Sequence, residues 1–512
     1  MKLHNPFKDR RSGILLHPTS LPGPWKSGDL SHNAYRFVEF LAAAGQSVWQ
    51  MMPLGITHDD GSPYQSLSTH AGNTLLISLD WMIERGWLES DVWEKAQNSN
   101  QWRLETLERG CLNALETIDD QTRNDFDRFV RGQSYWLEDY ANFVVLKKLH
   151  NGTGWKDWPV ELRRANKSAV DAVLKESEQQ LLLRKFEQYV FFRQWRELRR
   201  FAHSHGVYLF GDLPIFVSED SADVWAHRDV FTVNADGQGT VVAGVPPDAF
   251  TDEGQLWGNP LYNWQTLRDS DFAWWTDRLR THFSLFDMVR IDHFRGLEAC
   301  WEVPATSNTA KDGKWVKTPG PELLEKIQQQ FTDMPLVAED LGIITEEVDH
   351  LRKQFSLPGM KVLQFAFDGD MHNHHLPHNH SEDMVVYTGT HDNDTTISWF
   401  QSEEDSNKQQ VCSYLECGDH DMPWPLIRSA MMSVAKTSIF PLQDVLGLGA
   451  GHRMNLPGTV DGNWQWRFDW SQVDGGLADR LREITTRYSR LGPDGPIQEL
   501  GNVWPEVERR KN

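Results

Sequence analysis

Apolar residues in this chain fall into short consecutive runs. Eight of these have the β-branched and aromatic character of strands: 13–16, 47–51, 207–212, 288–292, 336–339, 362–367, 384–387 and 438–442. Strands read this way when neither face meets water, as happens to parallel strands covered by helices. Helical patterns separate the runs. The alternation predicts βα units in an α/β fold, and eight units predict a closed (β/α)8 TIM barrel.

The spacing of the runs is uneven, and the long gap between the second and third predicts an insertion. Residues 87–205 are rich in Glu, Lys, Arg, Gln and Leu. Within them, Phe191, Trp195, Leu198 and Ala202 share one face at helical spacing. The chain therefore divides into a barrel start with two strands (1–86), a helical insert (87–205) and the remaining six strands (206–512). Smaller inserts are expected near 298–330 and 401–425. The Gly- and Pro-punctuated segments 244–250 and 454–459 are expected as loops that follow barrel strands and border the mouth.

Composition narrows the function by exclusion. The 73 acidic and 51 basic side chains give a net charge of −22 over 512 residues. Such a chain repels polyphosphate, so nucleic acid is not an expected partner. No apolar stretch is long enough for a membrane helix. The four cysteines form no CxxC pair, as in a reduced cytosolic protein without a structural zinc site. The N-terminus has neither a signal-like apolar run nor an Arg/Ser-rich transit pattern. A cytoplasmic location is the expectation, although a plastid enzyme that had lost its transit peptide would look the same.

Three of the strands end in acids. Asp292 closes 288–292, Glu339 closes 336–339, and Asp392 follows 384–387 within GTHDNDT at 389–395. Parallel barrels carry their catalytic groups at these ends. Two carboxylates suffice to break and remake a glycosidic bond with retention. Asp292 is the candidate nucleophile, because Arg290 lies two residues earlier on the same strand face and favours its ionised form. Glu339 ends an apolar strand, where burial raises a carboxyl into the range of a general acid/base. Asp392, with His391 beside it, is placed to hold sugar hydroxyls as positive charge develops. A lone Asp at a strand end is more often a helix cap; three acid-tipped strands in one chain reverse that reading.

The motifs RIDHFRG (290–296), AEDLG (338–342) and GTHDNDT (389–395) resemble those of the amylomaltases, the 4-α-glucanotransferases of glycoside hydrolase family 77. So do LLHPTSLPG (15–23), GSPYQS (61–66), GDLPIFV (211–217), GVPPD (244–248), GQLWGNP (254–260) and RMNLPGT (453–459). The resemblance runs from about residue 11 to about 505 and implies disproportionation of α-1,4-glucans on a barrel, with no cofactor. Maltooligosaccharides and starch- or glycogen-derived glucans are the implied partners. Carried over, Asp292 resembles the nucleophile, Glu339 the acid/base and Asp392 the transition-state stabiliser. Arg290, His391 and Asp212 match sugar contacts, Tyr64 an aromatic that stacks on the sugar, and Trp257 and Asn463 groove positions. The related α-amylases usually carry a His shortly after the third-strand Asp and often bind calcium nearby. Residues 212–217 have no such His. Ala249 stands where some family members have Tyr. Asp248 and Phe250 lie in 244–257, which we read as a lid that shelters the intermediate from water.

Two motifs point elsewhere and fail their context. The His-rich segment 371–380 suggests a metal site, but its Pro and Asn read as a loop and no distant acid joins it at fixed spacing. GLGAG at 447–451 lacks the final glycine of a dinucleotide loop, since His452 takes that place. Two alternatives to transfer stay open: a retaining α-glucan hydrolase on the same fold, and a non-catalytic glucan-binding protein, for which loss of one acid would be the expected mark.

Overall fold

The structure, a computed structural model, describes residues 5–95, 98–247, 252–492 and 495–497. Its strands are β1 (Arg11–Leu15), β2 (Val48–Gln50), β3 (Tyr208–Pro214), β4 (Val241–Val245), β5 (Gln255–Pro260) and β6 (Met288–Asp292). They continue with β7 (Ala299–Pro304), β8 (Lys314–Lys317), β9 (Leu336–Ala338), β10 (Gly359–Val362), β11 (Met384–Tyr387) and β12 (Thr437–Pro441). Eight of them form one parallel sheet in the order β10-β11-β12-β1-β2-β3-β6-β9. The ends of that sheet meet where the Ala338 N–H donates to the Pro358 carbonyl at 2.8 Å. The Met360 N–H also donates to Asp340 Oδ1 at 2.6 Å. Gly359 makes this approach possible: a Cβ there would lie 2.4 Å from the Asp340 carboxylate. The result is the (β/α)8 barrel expected from eight buried runs.

Alternate residues of each strand point inward. Leu15, Val48, Phe210, Met288, Val337, Met360, Val385 and Ile439 fill the interior. Phe7 and Ile497, before the first strand and after the last, close its floor, while Tyr64, Leu341, Trp464 and Trp466 pack against the same cluster. One further step along the same inward faces stand Asp212, Arg290 and Glu339. The strand periodicity that buries the core thus also aims the polar groups at the mouth.

Residues 100–204 are mostly helical, a succession of helices from Asn100–Thr117 to the 27-residue Glu178–Ser204. Phe191, Trp195, Leu198 and Ala202 are all buried on the inner face of that last helix. It also packs against β3 and the barrel helices His32–Ala43 and Ala273–Leu285.

Three features depart from the sequence reading. The run 362–367 is not a strand: β10 occupies Gly359–Val362, and Leu363–Phe365 turns into a 3-10 helix. Lys361 interrupts the apolar run there and shifts its apparent start; in the fold it is buried on the outward face. Residues 244–250 are not all loop, because Gly244 and Val245 end β4. A second sheet, β5-β4-β7-β8, was not anticipated. It is antiparallel and is built from two separate insertions, after β3 and after β6.

Gly13 shows how closely the barrel strands are set. A Cβ on it would lie 2.2 Å from the Val48 carbonyl oxygen and 2.5 Å from Val48 Cβ. Backbone of a neighbouring strand cannot rotate aside as a side chain can. Gly13→Ala is expected to cost about 1–3 kcal/mol and to lower the thermal unfolding midpoint. A midpoint equal to the parent's would show that β1 and β2 can separate freely.

Candidate active site

The site is organised around Arg290. Its strand places it directly opposite Asp212 of β3, and Nη1 donates to Asp212 Oδ2 at 2.6 Å. The other arm, Nη2, lies 2.8 Å from Asp292 Oδ1. The third direction of the guanidinium is also taken, since Nε donates to Met360 Sδ at 3.4 Å. Burial alone would lower the Arg290 pKa. The carboxylates of Asp212 and Asp292 outweigh it and hold the cation well above its ordinary value. Burial pushes the Asp212 carboxyl up, against the opposing pull of Arg290.

Asp212 Oδ2 also accepts from the Tyr64 hydroxyl at 2.7 Å, and that hydroxyl lies 2.9 Å from His391 Nε2. The Tyr64 and His391 rings stack with centroids 5.3 Å apart and planes 19° apart. Trp464 closes the group from the loop after β12. His391 Nε2 is 3.4 Å from Asp392 Oδ2. Asp392 is itself held, with Oδ1 accepting from Asn455 Nδ2 at 2.6 Å and its carbonyl accepting from Arg453 Nη2 at 2.7 Å.

Glu339 sits across from this group. Oε2 accepts from the His293 N–H at 2.7 Å and Oε1 from the Leu341 N–H at 2.9 Å. His293 reaches that position because it adopts left-handed backbone, with φ at 52°. Desolvation raises the Glu339 pKa from 4.5 to about 7, against the pull of Arg290 and the two backbone donors. Burial also pushes the His293 imidazole down to about 4, so the ring next to the candidate nucleophile is neutral.

The structure therefore brings together Asp292, Arg290, Asp212, Tyr64, His391 and Asp392 through one continuous set of side-chain contacts, and ties Glu339 to them through the backbone N–H of His293, the residue after Asp292. Trp257 lies on β5 with its ring edge-on to His293, the centroids 4.8 Å apart. Asn463 lies in the loop after β12. Its amide accepts from the Leu456 N–H and donates to the Thr459 carbonyl, tying the 456–463 loop to itself. Asp248, Ala249 and Phe250 lie outside the described residues. The segment that contains them joins β4 to β5, which pair antiparallel.

Sequence reasoning had no means to find Met360, whose thioether looks like any core methionine. It also passed over His293 and Leu341, which act through backbone N–H groups. Asn455 and Arg453 lay in a quoted motif, but nothing local tied them to Asp392. In the His-rich segment, His375, His378 and His380 hold loops together by hydrogen bonds to the Val362 N–H, the Tyr414 hydroxyl and Ser433 Oγ respectively.

Residues 16–472 match the model of glycoside hydrolase family 77, described as 4-alpha-glucanotransferase. The chain belongs to this family. It is 45% identical over 495 residues to the 4-alpha-glucanotransferase of Synechocystis sp., covering 94% of this chain and 98% of the relative. To the Thermus thermophilus 4-alpha-glucanotransferase it is 45% identical over 496 residues, covering 94% and 99%. Among solved structures, the amylomaltase from Streptococcus agalactiae in complex with acarbose superposes with a TM-score of 0.91 at 35% identity, covering 94% of this chain and 99% of that one. The chain is thus an enzyme of the family 77 4-α-glucanotransferase class. No helix among its described residues is long and apolar enough to cross a membrane.

The raised Glu339 pKa has a consequence for stability. The folded carboxyl binds its proton more tightly than the unfolded one. Stability therefore falls as pH rises from 4.5 through about 7, and levels off above. Glu339→Gln cannot titrate. The difference in melting midpoint between variant and parent should move in the variant's favour across that window. A constant difference from pH 4 to pH 8 would show that burial does not hold this carboxyl up.

Proposed function

We propose that this family 77 enzyme moves α-1,4-glucan segments with retention, through a covalent glycosyl-enzyme on Asp292. The observation that carries the reading is the division of labour around Arg290. One carboxylate, Asp292, is paired with a cation and therefore ready to attack. The other, Glu339, is held up near neutrality and therefore able to give a proton. In the first half-reaction Glu339 protonates the leaving sugar oxygen as Asp292 attacks the anomeric carbon. In the second, the Glu339 carboxylate takes the proton of an acceptor 4-hydroxyl, and that oxygen displaces Asp292. Asp392, His391 and Asp212 hold hydroxyls of the sugar being transferred, and Tyr64 and Trp464 offer it an aromatic wall. Trp257 lines the groove beyond, and Asn463 acts by fixing the loop that carries Leu456.

Maltooligosaccharides and starch- or glycogen-derived glucans are the proposed substrates, with the cytoplasm as the place of action. This agrees with relatives named as 4-alpha-glucanotransferases and with acarbose in one family structure, although the plant relatives are named as chloroplastic or amyloplastic. Water at about 55 M competes with any sugar acceptor, so positioning must supply a higher effective molarity and the 244–257 segment must shelter the intermediate.

Purified enzyme incubated with maltotriose should yield glucose and longer chains with total reducing ends unchanged. A rise in reducing ends equal to bond cleavage would instead identify a hydrolase. Asp292→Asn should lose several orders of magnitude in turnover while keeping its fold. Glu339→Gln should recover part of its loss on an α-glycosyl fluoride, whose leaving group needs no protonation. Near-parent activity in Asp292→Asn would sink the assignment.

Because Glu339 must enter the reaction protonated, kcat/KM should fall as pH rises through about 7. The basic limb should vanish for the fluoride donor. A limb that persists unchanged with that donor would have to come from another group.

A further inference from the structure

The antiparallel sheet β5-β4-β7-β8 stands outside the barrel, yet one of its exposed side chains packs on the turn that follows Asp292. Trp315 on β8 is 38% exposed. The Arg295 guanidinium lies over its ring, 3.7 Å from the centroid, and Trp301 on β7 meets that ring edge-on at 5.2 Å. Arg295 itself is only 8% exposed. It belongs to the 3-10 turn Phe294–Leu297, which begins two residues after Asp292. Its Nη1 donates to the carbonyl of Ile343, in the loop that follows Glu339.

Arg295 therefore touches three separate parts of the chain: the turn behind the nucleophile, the loop behind the acid/base, and the inserted sheet. Other bonds join the first two. The Phe294 N–H donates to the Glu339 carbonyl at 3.2 Å, and the Glu339 N–H to the Ile291 carbonyl at 3.0 Å. All of these lie next to the strand ends. Arg295 pins the loop farther out, at Ile343, whose own side chain is 61% exposed and gains little from packing.

We propose that Arg295 is a positioning residue for Glu339, and that Trp315 fixes Arg295 in that role. The inserted sheet thereby helps to set the geometry and dryness of the catalytic acid from outside the barrel. The guanidinium suits the task, since its planar face stacks on the indole while its edge still donates to a carbonyl. This inference rests on the roles proposed above for Asp292 and Glu339.

Glu339 is held by burial first, then by Arg290 and Asp292 from β6 and by the N–H groups of His293 and Leu341. Asp340, next to it, turns the other way, toward the Met360 N–H and Arg352. If the 339–343 loop loosens, water reaches Glu339. Burial is the largest influence on that carboxyl, so hydration should move its titration down toward the ordinary carboxylate range.

The test compares Arg295→Ala, Trp315→Ala and Trp315→Phe with the parent, using kcat, KM and the pH profile of kcat/KM on maltotriose. Arg295→Ala should lower kcat about tenfold with little change in KM, and move the basic limb to lower pH by half a unit or more. Trp315→Ala should shift both in the same direction by less. Trp315→Phe retains a ring face for the guanidinium and should behave as the parent does. If Arg295→Ala does not fold, Trp315→Ala carries the test, because the indole is partly exposed and lies outside the barrel core. A basic limb coincident with the parent's in Arg295→Ala, or in Trp315→Ala where Arg295→Ala does not fold, overturns the proposal, whatever happens to the rate. Failure of the underlying roles would look different: Asp292→Asn or Glu339→Gln would then retain near-parent activity.

Discussion

A cation buried at the mouth of a barrel must be surrounded by negative charge, or it will not remain there. Arg290 is that cation, and most of the site follows from satisfying it. Its two terminal nitrogens need two carboxylates, so Asp212 and Asp292 are drawn to opposite arms. Its Nε–H meets a thioether, which fixes the plane of the fork. Asp212, shared with Tyr64, then brings in His391, and His391 brings in Asp392. The constellation is an ordered chain of charge and hydrogen-bond satisfaction that starts from one guanidinium. Glu339 stands at the edge of this field, near enough to feel Arg290 but dominated by its own desolvation.

The barrel supplies the rigidity. Asp212, Arg290 and Glu339 occupy inward positions one step beyond Phe210, Met288 and Val337 on their strands. Any movement of these polar groups would have to drag the packed layer beneath them. The closure of the barrel has a similar economy. Asp340, adjacent to Glu339, uses its side chain to stitch β9 to β10 where the backbone ladder is sparse. The residue beside the acid therefore ties the last seam of the sheet, and Gly359 gives it room to do so.

Much of this was legible in the sequence, and the reasons differ by residue. Seven of the eight barrel strands could be placed because strands buried on both faces leave short, largely apolar runs. The eighth was displaced because Lys361 breaks the pattern from the outside of the barrel. Asp292, Glu339 and Asp392 stood out because an acid that ends an apolar strand is chemically conspicuous, and Arg290 because of its spacing from Asp292. Asp212 and Tyr64 came only from family resemblance. Their partners are distant in sequence, as Tyr64 and His391 show, and no local pattern encodes such a meeting. The antiparallel sheet was missed because its strands are partly exposed and contributed by two insertions. Neither segment signals a strand until the other is beside it. Asn463 also came only from family resemblance, and its amide holds its own loop through bonds to Leu456 and Thr459.

The floor of the barrel has a practical side. Phe7 and Ile497 both plug the end of the sheet opposite to the mouth, so the chain enters and leaves its core on the face that no glucan has to approach. Anchoring the enzyme to a support through that face would present every mouth outward, toward polymer too large to diffuse into a crowded layer. An anchor at the mouth would instead set the support itself against the incoming chain.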